Sequence, residues 1–224
     1  MDSLGISILL KGTYFLQLLK GLSVTIEIAV ISMFLSLVFG FIVGILMNSH
    51  NKIVQIFFRL YLESVRILPQ LVLLYLVYFG AATNFGLNLS GFTAAVIAFT
   101  YWGAAEMGDL VRSSLISVDP HQYESAYGLG LKKHQVYRFI IIPQTVKRLI
   151  PSVINLFTRM VKTTSLVVLI GVVEVVKVGK QIIDVNRFID PNSAIWIYGT
   201  IFLMYFVICY PFTKLASYLE NKVA

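Results

Sequence analysis

The run "ISMFLSLVFGFIVGILM" (31–47) is apolar on every side and carries no charge. A helix on the surface of a soluble domain keeps a polar stripe toward water. A strand of a membrane barrel alternates apolar and polar residues over about ten positions. This run does neither, which leaves a helix surrounded by apolar material. The rest of the chain agrees: 58% of its residues are hydrophobic and only 13% charged, too little polar surface to cover a soluble globule of 224 residues. A helical span needs roughly 20 mostly apolar residues, and the candidates lie at about 21–47, 60–82, 91–117, 150–172 and 195–217. The expected fold is therefore an all-α integral membrane protein with about five transmembrane helices.

Residues 1–20 interleave Lys11, Gln17 and Lys20 with apolar residues and lack a small-residue cleavage site. They are expected to form an N-terminal amphipathic segment at the interface, followed by a membrane domain over 21–224. The formal net charge of +7 would raise nucleic acid as a partner in a soluble protein, but here its distribution carries the information. Lys52 and Arg59 follow the first span; Lys132, Lys133, Arg138, Lys147 and Arg148 follow the third. Basic loops stay in the cytoplasm. "TNFGLNLSG" has no Lys or Arg, and the segment after the fourth span offsets Lys177, Lys180 and Arg187 with Glu174, Asp184 and Asp190, so both are expected outside. That order puts the N-terminus outside and the C-terminus in the cytoplasm.

Ionisable residues inside a span cost roughly 2.5–3.5 kcal/mol each on insertion scales and mark function by default. The fourth span carries Asn155, Arg159 and Lys162 at helical spacing, then Thr163, Thr164 and Ser165. Arg159 either serves the substrate path or balances an acid. The third span carries Glu106, Asp109 and Arg112, three apart and close together on a helix. Asp109 and Arg112 are expected to be an intrahelical pair or a gate latch. Glu106, deeper, is a candidate for a substrate's ammonium group or for pairing with Arg159 or Lys162. Arg66 precedes Pro69, which removes a backbone donor and breaks the helix there. The break marks either a simple helix start or a stretch that faces a wet cavity; the family resemblance given below implies the second, with Leu68, Pro69 and Gln70 as candidate cavity-lining residues.

The loop at about 118–149 is small, glycine-bearing and basic between greasy neighbours. In it, Glu124, Ala126, Gly130, Ile140 and Pro143 keep the spacing Glu-x-Ala, Gly six residues after the Glu, and Ile and Pro sixteen and nineteen after it. This resembles the EAA loop of permease subunits in binding-protein-dependent ABC importers. "RLYLESVRILPQLVLLYLVYFG" (59–80), "GDLVRSSLISVDPHQYESA" (108–126), "IIPQTVKRLIPSVINLFTRMVKTTSLVVLIGVVEV" (141–175) and "LLKGLSVTIEIAV" (18–30) are similar to successive segments of the polar amino acid permease family. Ser125 replaces the first Ala of the motif. Ile67 and Leu68 replace a Gly-Thr pair, Thr163 replaces an Asp, and Glu106 stands where the family often has Tyr. These departures bear on substrate identity.

The resemblance implies the type I ABC importer permease fold in a bacterial cytoplasmic membrane. It implies that Glu124, Ser125, Ala126, Gly130, Ile140 and Pro143 seat a short helix in a separate cytoplasmic ATPase, which holds the ATP and Mg. This chain carries no G-x-x-x-x-G-K-[ST] phosphate loop, and the resemblance implies that it binds no cofactor and has no catalytic role of its own. The further partners implied are a second permease subunit, identical or not, and an extracytoplasmic amino acid-binding protein. The substrate expected is a polar amino acid such as glutamine, glutamate or aspartate, with basic amino acids or cystine as the alternative. Two other classes compete. A membrane enzyme would need a nucleophile with a base or a metal cluster, yet His50, His121 and His134 fall far apart without metal-ligand spacing. A self-contained secondary transporter usually shows repeated halves, into which five spans do not divide.

Overall fold

The computed structural model describes residues 13–188 and 191–223, and among them the chain is helical with no strand. The first helix, α1 (Tyr14–Met47), is 34 residues long, about 51 Å at 1.5 Å per residue. It takes in Tyr14 to Lys20, so the boundary expected at residue 20 falls inside it; residues 1–12 lie outside the described part. Helix α2 (Lys52–Ile67) opens on Asn51, whose side chain accepts a hydrogen bond from the Ile53 N–H at 2.9 Å, and closes at Leu68 in extended backbone. Leu68 is extended because the residue before a proline is pushed out of the α region. Helix α3 (Gln70–Phe85) begins one residue after Pro69.

The single span expected over 60–82 is thus two helices, bent by 104° where they meet. The proline accounts for the break. Helix α4 (Gly91–Ile116) follows, and after it α5 (Pro120–Gly128), a short helix with Asp119 as its cap and Pro120 in its first turn. Helix α6 (Lys133–Val136) leads through a wider π turn (Tyr137–Ile141) into α7 (Ile142–Thr163). Pro143 could end a helix, yet the chain runs through it. The π turn brings the Ile142 N–H to the Tyr137 carbonyl, and this local widening lets a residue without an N–H pass. A 3₁₀ segment (Thr164–Ile170) continues α7 and stops at Gly171, whose φ is +84°. Helices α8 (Val175–Asn186) and α9 (Ser193–Val223) complete the chain.

Among the described residues, three stretches are long and apolar enough to cross a bilayer: Tyr14–Met47, Lys133–Ile170 and Ser193–Lys222. The broken pair α2 and α3 makes a fourth if taken as one span. Helix α4 has the length, 26 residues or about 39 Å, but carries Glu106, Asp109 and Arg112 in its C-terminal half.

The chain forms two compact units, each assembled from segments distant in sequence. In the unit of Met1–Ser32, Gln70–Phe99 and Arg159–Pro211, two apolar clusters are buried. Leu18, Val175, Val178, Ile182 and Ile197 form one; Ile28, Leu74, Ala98, Phe99 and Val167 belong to the other. In the unit of Met33–Pro69, Thr100–Thr158 and Phe212–Ala224, α1 and α4 pack through small residues. A Cβ on Gly40 would lie 2.4 Å from the Met107 Cβ, and one on Gly44 would lie 2.6 Å from the Val111 Cβ. Small residues four apart let helix backbones approach closely, the usual way membrane helices gain packing energy.

Candidate functional site

Two constructions in the second unit carry the residues singled out by the sequence. The first is a charge cluster between the end of α2 and the C-terminal half of α4. Arg66 lies in the last turn of α2, immediately before the break at Leu68 and Pro69. Its Nη2 donates to Asp109 Oδ2 at 2.7 Å and its Nε to Glu106 Oε1 at 3.4 Å. Arg112 donates from Nε and Nη2 to Asp109 Oδ1 at 3.3 and 3.4 Å. Glu106 and Asp109 stand three apart on one helix face, where like charges repel. The two arginines offset that repulsion, and Arg66 ties α2 to α4.

The tie has an aromatic neighbour. The Tyr61 hydroxyl donates to the Tyr101 carbonyl at 2.5 Å, and the two rings meet edge to face at 4.8 Å. The expected Asp109–Arg112 pair is present, as an i,i+3 bridge. Sequence reasoning offered Arg159 or Lys162 for Glu106 and did not offer Arg66. Its signal was present: a cation just before a helix-breaking proline. Leu68 and Pro69 are exposed beside it and Gln70 is half-buried.

The second construction is the loop of α5, α6 and the π turn, which has a core of its own. Val118, Ala126, Val136 and Ile141 are buried together, with Leu115, Tyr123, Leu131 and Ile140 packed around them. Helix α5 ends in paired turn bonds: the Leu131 N–H reaches the Ala126 carbonyl at 3.2 Å, and the Gly130 N–H reaches the Tyr127 carbonyl at 2.9 Å. This closure needs a left-handed residue, and Gly130 supplies it at φ +79°. Gly128 sits inside the last turn of α5.

The spacing motif therefore divides. Ala126 is buried and Ile140 half-buried, holding the loop together; Glu124, Ser125, Gly130 and Pro143 are exposed. Glu124 Oε2 lies 3.6 Å from Nδ1 of exposed His121. Leu129, 82% exposed at the tip, was not singled out from the sequence. Burial and the neighbouring Tyr137 and Tyr127 phenols push the Tyr123 phenol above its ordinary value. Both ends of the loop are anchored. Arg148 Nη1 donates to the Ser117 carbonyl and, at 3.0 Å, to Ser117 Oγ, so α7 is clamped to the end of α4.

The polar stripe of α7 is less of a unit than its spacing suggested. Asn155 donates to Glu220 Oε1 of α9 at 3.1 Å. Arg159 and Lys162 are exposed. The hydroxyls of Thr163, Thr164 and Ser165 donate to the carbonyls of Arg159, Val161 and Lys162, at 2.9, 2.7 and 2.9 Å. Thr164 is wholly buried, so it faces protein and not a path. Backbone carbonyls three or four residues back are the nearest acceptors for such hydroxyls in a helix.

In the first unit, Glu174, one of the acids of the segment expected outside, is completely buried. Its carboxylate caps α8, accepting from the N–H groups of Val176 and Lys177 at 2.9 and 2.8 Å and from the Thr25 hydroxyl at 3.4 Å. Burial pushes its carboxyl above the ordinary range, and those three donors pull part of the way back.

The family described as "Binding-protein-dependent transport system inner membrane component" matches residues 36–224. The chain is 32% identical over 202 residues to "Probable glutamine ABC transporter permease protein GlnP" of Bacillus subtilis (strain 168), covering 90% of this chain and 91% of that one. It is also 32% identical to "Probable amino-acid ABC transporter permease protein YckA" of the same organism, over 94% of this chain and 90% of that one. Among solved structures, an amino acid ABC transporter with histidines superposes with a TM-score of 0.86 at 28% identity, over 99% of both chains. An inward-facing MetNI methionine ABC transporter shares the fold at a TM-score of 0.73 and 16% identity, over 96% of this chain and 99% of that one.

Proposed function

The chain belongs to the family of binding-protein-dependent transport system inner membrane components, and from that premise we propose that the amino acid it carries is a polar one of the glutamine, glutamate or aspartate type. The coarser statement needs no proposal: it is a permease subunit of an amino-acid ABC importer, a multi-pass protein of the cytoplasmic membrane. It has the fold of type I importer permeases. ATP is hydrolysed on a separate subunit, and the family works with a binding protein.

The observation that most supports the finer reading is the 32% identity, over nine-tenths of the chain, to a relative named for glutamine. Thr163 supports it as well. A neutral residue there adds no carboxylate for a cationic side chain. The alternative, a basic amino acid, is favoured by the solved relative named with histidines.

The mechanism proposed is alternating access. The loop at about 118–149 faces the cytoplasm with the C-terminus, and the N-terminus lies outside. Glu124, Ser125 and Gly130 present α5 to the ATPase, with Ala126, Ile140 and Pro143 keeping the element stiff. ATP binding closes the ATPases, and the loop, anchored at both ends, carries that motion into α4 and α7. The path candidates are Arg66, Leu68, Pro69, Gln70, Glu106, Asn155, Arg159, Lys162, Thr163 and Ser165. Thr164, buried, supports them from behind. Asp109 and Arg112, with Arg66, act as a latch at the break between α2 and α3. A second permease subunit completes the path.

The test is competition for uptake in a reconstituted complex with its ATPase and binding protein. Unlabelled L-glutamine, L-glutamate or L-aspartate is expected to compete, and high-affinity L-arginine uptake would overturn the substrate reading. Lys162→Gln is expected to reduce uptake more than assembly. Normal uptake would return Lys162 to a packing role.

A further inference from the structure

A cavity of about 330 Å³ opens in the second unit among the C-terminal ends of α1 and α4 and the charged face of α2. Its volume lies at the small end of the ~300–1,000 Å³ range of small-molecule sites. Five ionisable residues line it: Arg59, Glu63, Arg66, Asp109 and Arg112. Three of them are engaged with one another, since Arg66 and Arg112 both bind Asp109. Arg59 and Glu63 are different. They lie one turn apart on α2, and among the described residues neither forms an ion pair within 4 Å.

That vacancy has a reason. A cation preceding an anion by four residues is the weaker order for an i,i+4 bridge, because both charges then oppose the helix dipole. The result is one exposed cation and one exposed anion without an ion-pair partner among the described residues, with Cβ atoms about 5–6 Å apart, on the wall of a small polar cavity. A ligand that satisfies both must carry opposite charges close together. The α-carboxylate and α-ammonium of a free amino acid sit on one carbon and meet that requirement; a phosphate or a lipid headgroup phosphate meets only half of it. Arginine also binds a carboxylate through two parallel hydrogen bonds, which fixes its orientation.

We propose that this cavity is a regulatory amino-acid site, in which a zwitterion entering from the cytoplasm places its carboxylate on Arg59 and its ammonium on Glu63 and slows further import. The proposal rests on the orientation and amino-acid reading given above. Arg66, bound to Glu106 and Asp109, holds α2 against α4 at this cavity. A ligand bound there therefore favours the latched arrangement over any arrangement in which the latch opens. Arg59 and Glu63 are not among the path candidates.

The experiment uses proteoliposomes holding the permease with its ATPase, ATP in the lumen, the binding protein outside and L-glutamine preloaded in the lumen. In parallel, binding of labelled L-glutamine to the complex in nanodiscs is measured without the binding protein. Lumenal L-glutamine is expected to slow uptake, whereas N-acetyl-L-glutamine, which lacks the ammonium group, is not. Arg59→Ala and Glu63→Gln are each expected to raise the half-inhibiting concentration about tenfold or more, with the initial uptake rate in empty liposomes unchanged. The double swap Arg59→Glu with Glu63→Arg puts the anion first, so that the two side chains bridge each other; it is expected to lose inhibition, and an unchanged uptake rate in empty liposomes controls for misfolding.

Uptake that proceeds normally, with inhibition and binding the same in wild type and all variants, would overturn the site and leave the importer reading standing. Equal inhibition by N-acetyl-L-glutamine would reduce the cavity to an anion site and overturn the proposal. Absent L-glutamine uptake together with binding that depends on Arg59 and Glu63 would overturn the substrate reading and keep the site.

Discussion

The loop of α5 and α6 and the cluster around Arg66 both join α4 to another part of the chain, and they do so by opposite means. The loop is held by contacts short in sequence: an apolar core drawn from 115–141, the turn closed by Gly130, and the Asp119 cap. The cluster is held by charges 40 and 43 residues apart, on side chains whose exposure runs from 12% to 43%. Apolar contacts within one segment move together as a rigid piece. Long-range ion pairs that remain partly solvated can exchange partners at modest cost. A coupling element gains from the first property and a latch from the second.

The comparison can be broken from either side. The largest effect is expected from Asp109→Ala, which leaves Arg66 and Arg112 without their shared carboxylate. A fully buried pair loses about 3–5 kcal/mol when one partner is removed. Here the arginine side chains are 43% and 35% exposed, so about 2 kcal/mol is expected. Thermal unfolding of the purified complex measures it, together with a rise in ATP hydrolysis uncoupled from uptake. A variant with unchanged stability and coupling would mean that the cluster is ornament on the helix surface.

Gly130→Val comes next, at about 1–2 kcal/mol for forcing a β-branched residue into left-handed backbone. Its loss should be confined to the loop: membrane insertion intact, ATPase association weakened, uptake reduced. Association of ATPase at the wild-type level would argue that the loop's stiffness is not what the partner reads.

The smallest effect concerns Glu174, which belongs to neither region, and sharpens the contrast as a control. Its folded-state pKa is raised above the ordinary 4.5, chiefly by burial. The fold therefore favours the protonated acid, so its contribution to stability is present at low pH and declines as pH rises through the raised value. The melting temperature of wild type should fall relative to Glu174→Gln as pH increases above about 4.5, with uptake coupling unaffected. A difference independent of pH would show that the carboxylate acts only as the cap of α8.

Most of this architecture is legible in the sequence because it depends on local physics. Apolar runs set the long helices, Pro69 set a break, and the Gly130 spacing marked a turn that only glycine closes without strain. The 3.6-residue period brought Asp109 and Arg112 together without any knowledge of the fold. Thr163, Thr164 and Ser165 show where such reasoning stops, since a hydroxyl's partner depends on whether a backbone carbonyl is nearer than a ligand.

By itself, then, the sequence determined what short-range forces decide: a helical membrane protein, the loop between α4 and α7, and its family resemblance. The tertiary structure alone decided which distant groups meet. It paired Arg66 with Glu106 and Asp109, buried Glu174 as a cap, and left Arg59 and Glu63 facing a cavity. The reason is physical. A charge is attracted to any opposite charge in reach, and reach is fixed by packing between helices that no local pattern encodes.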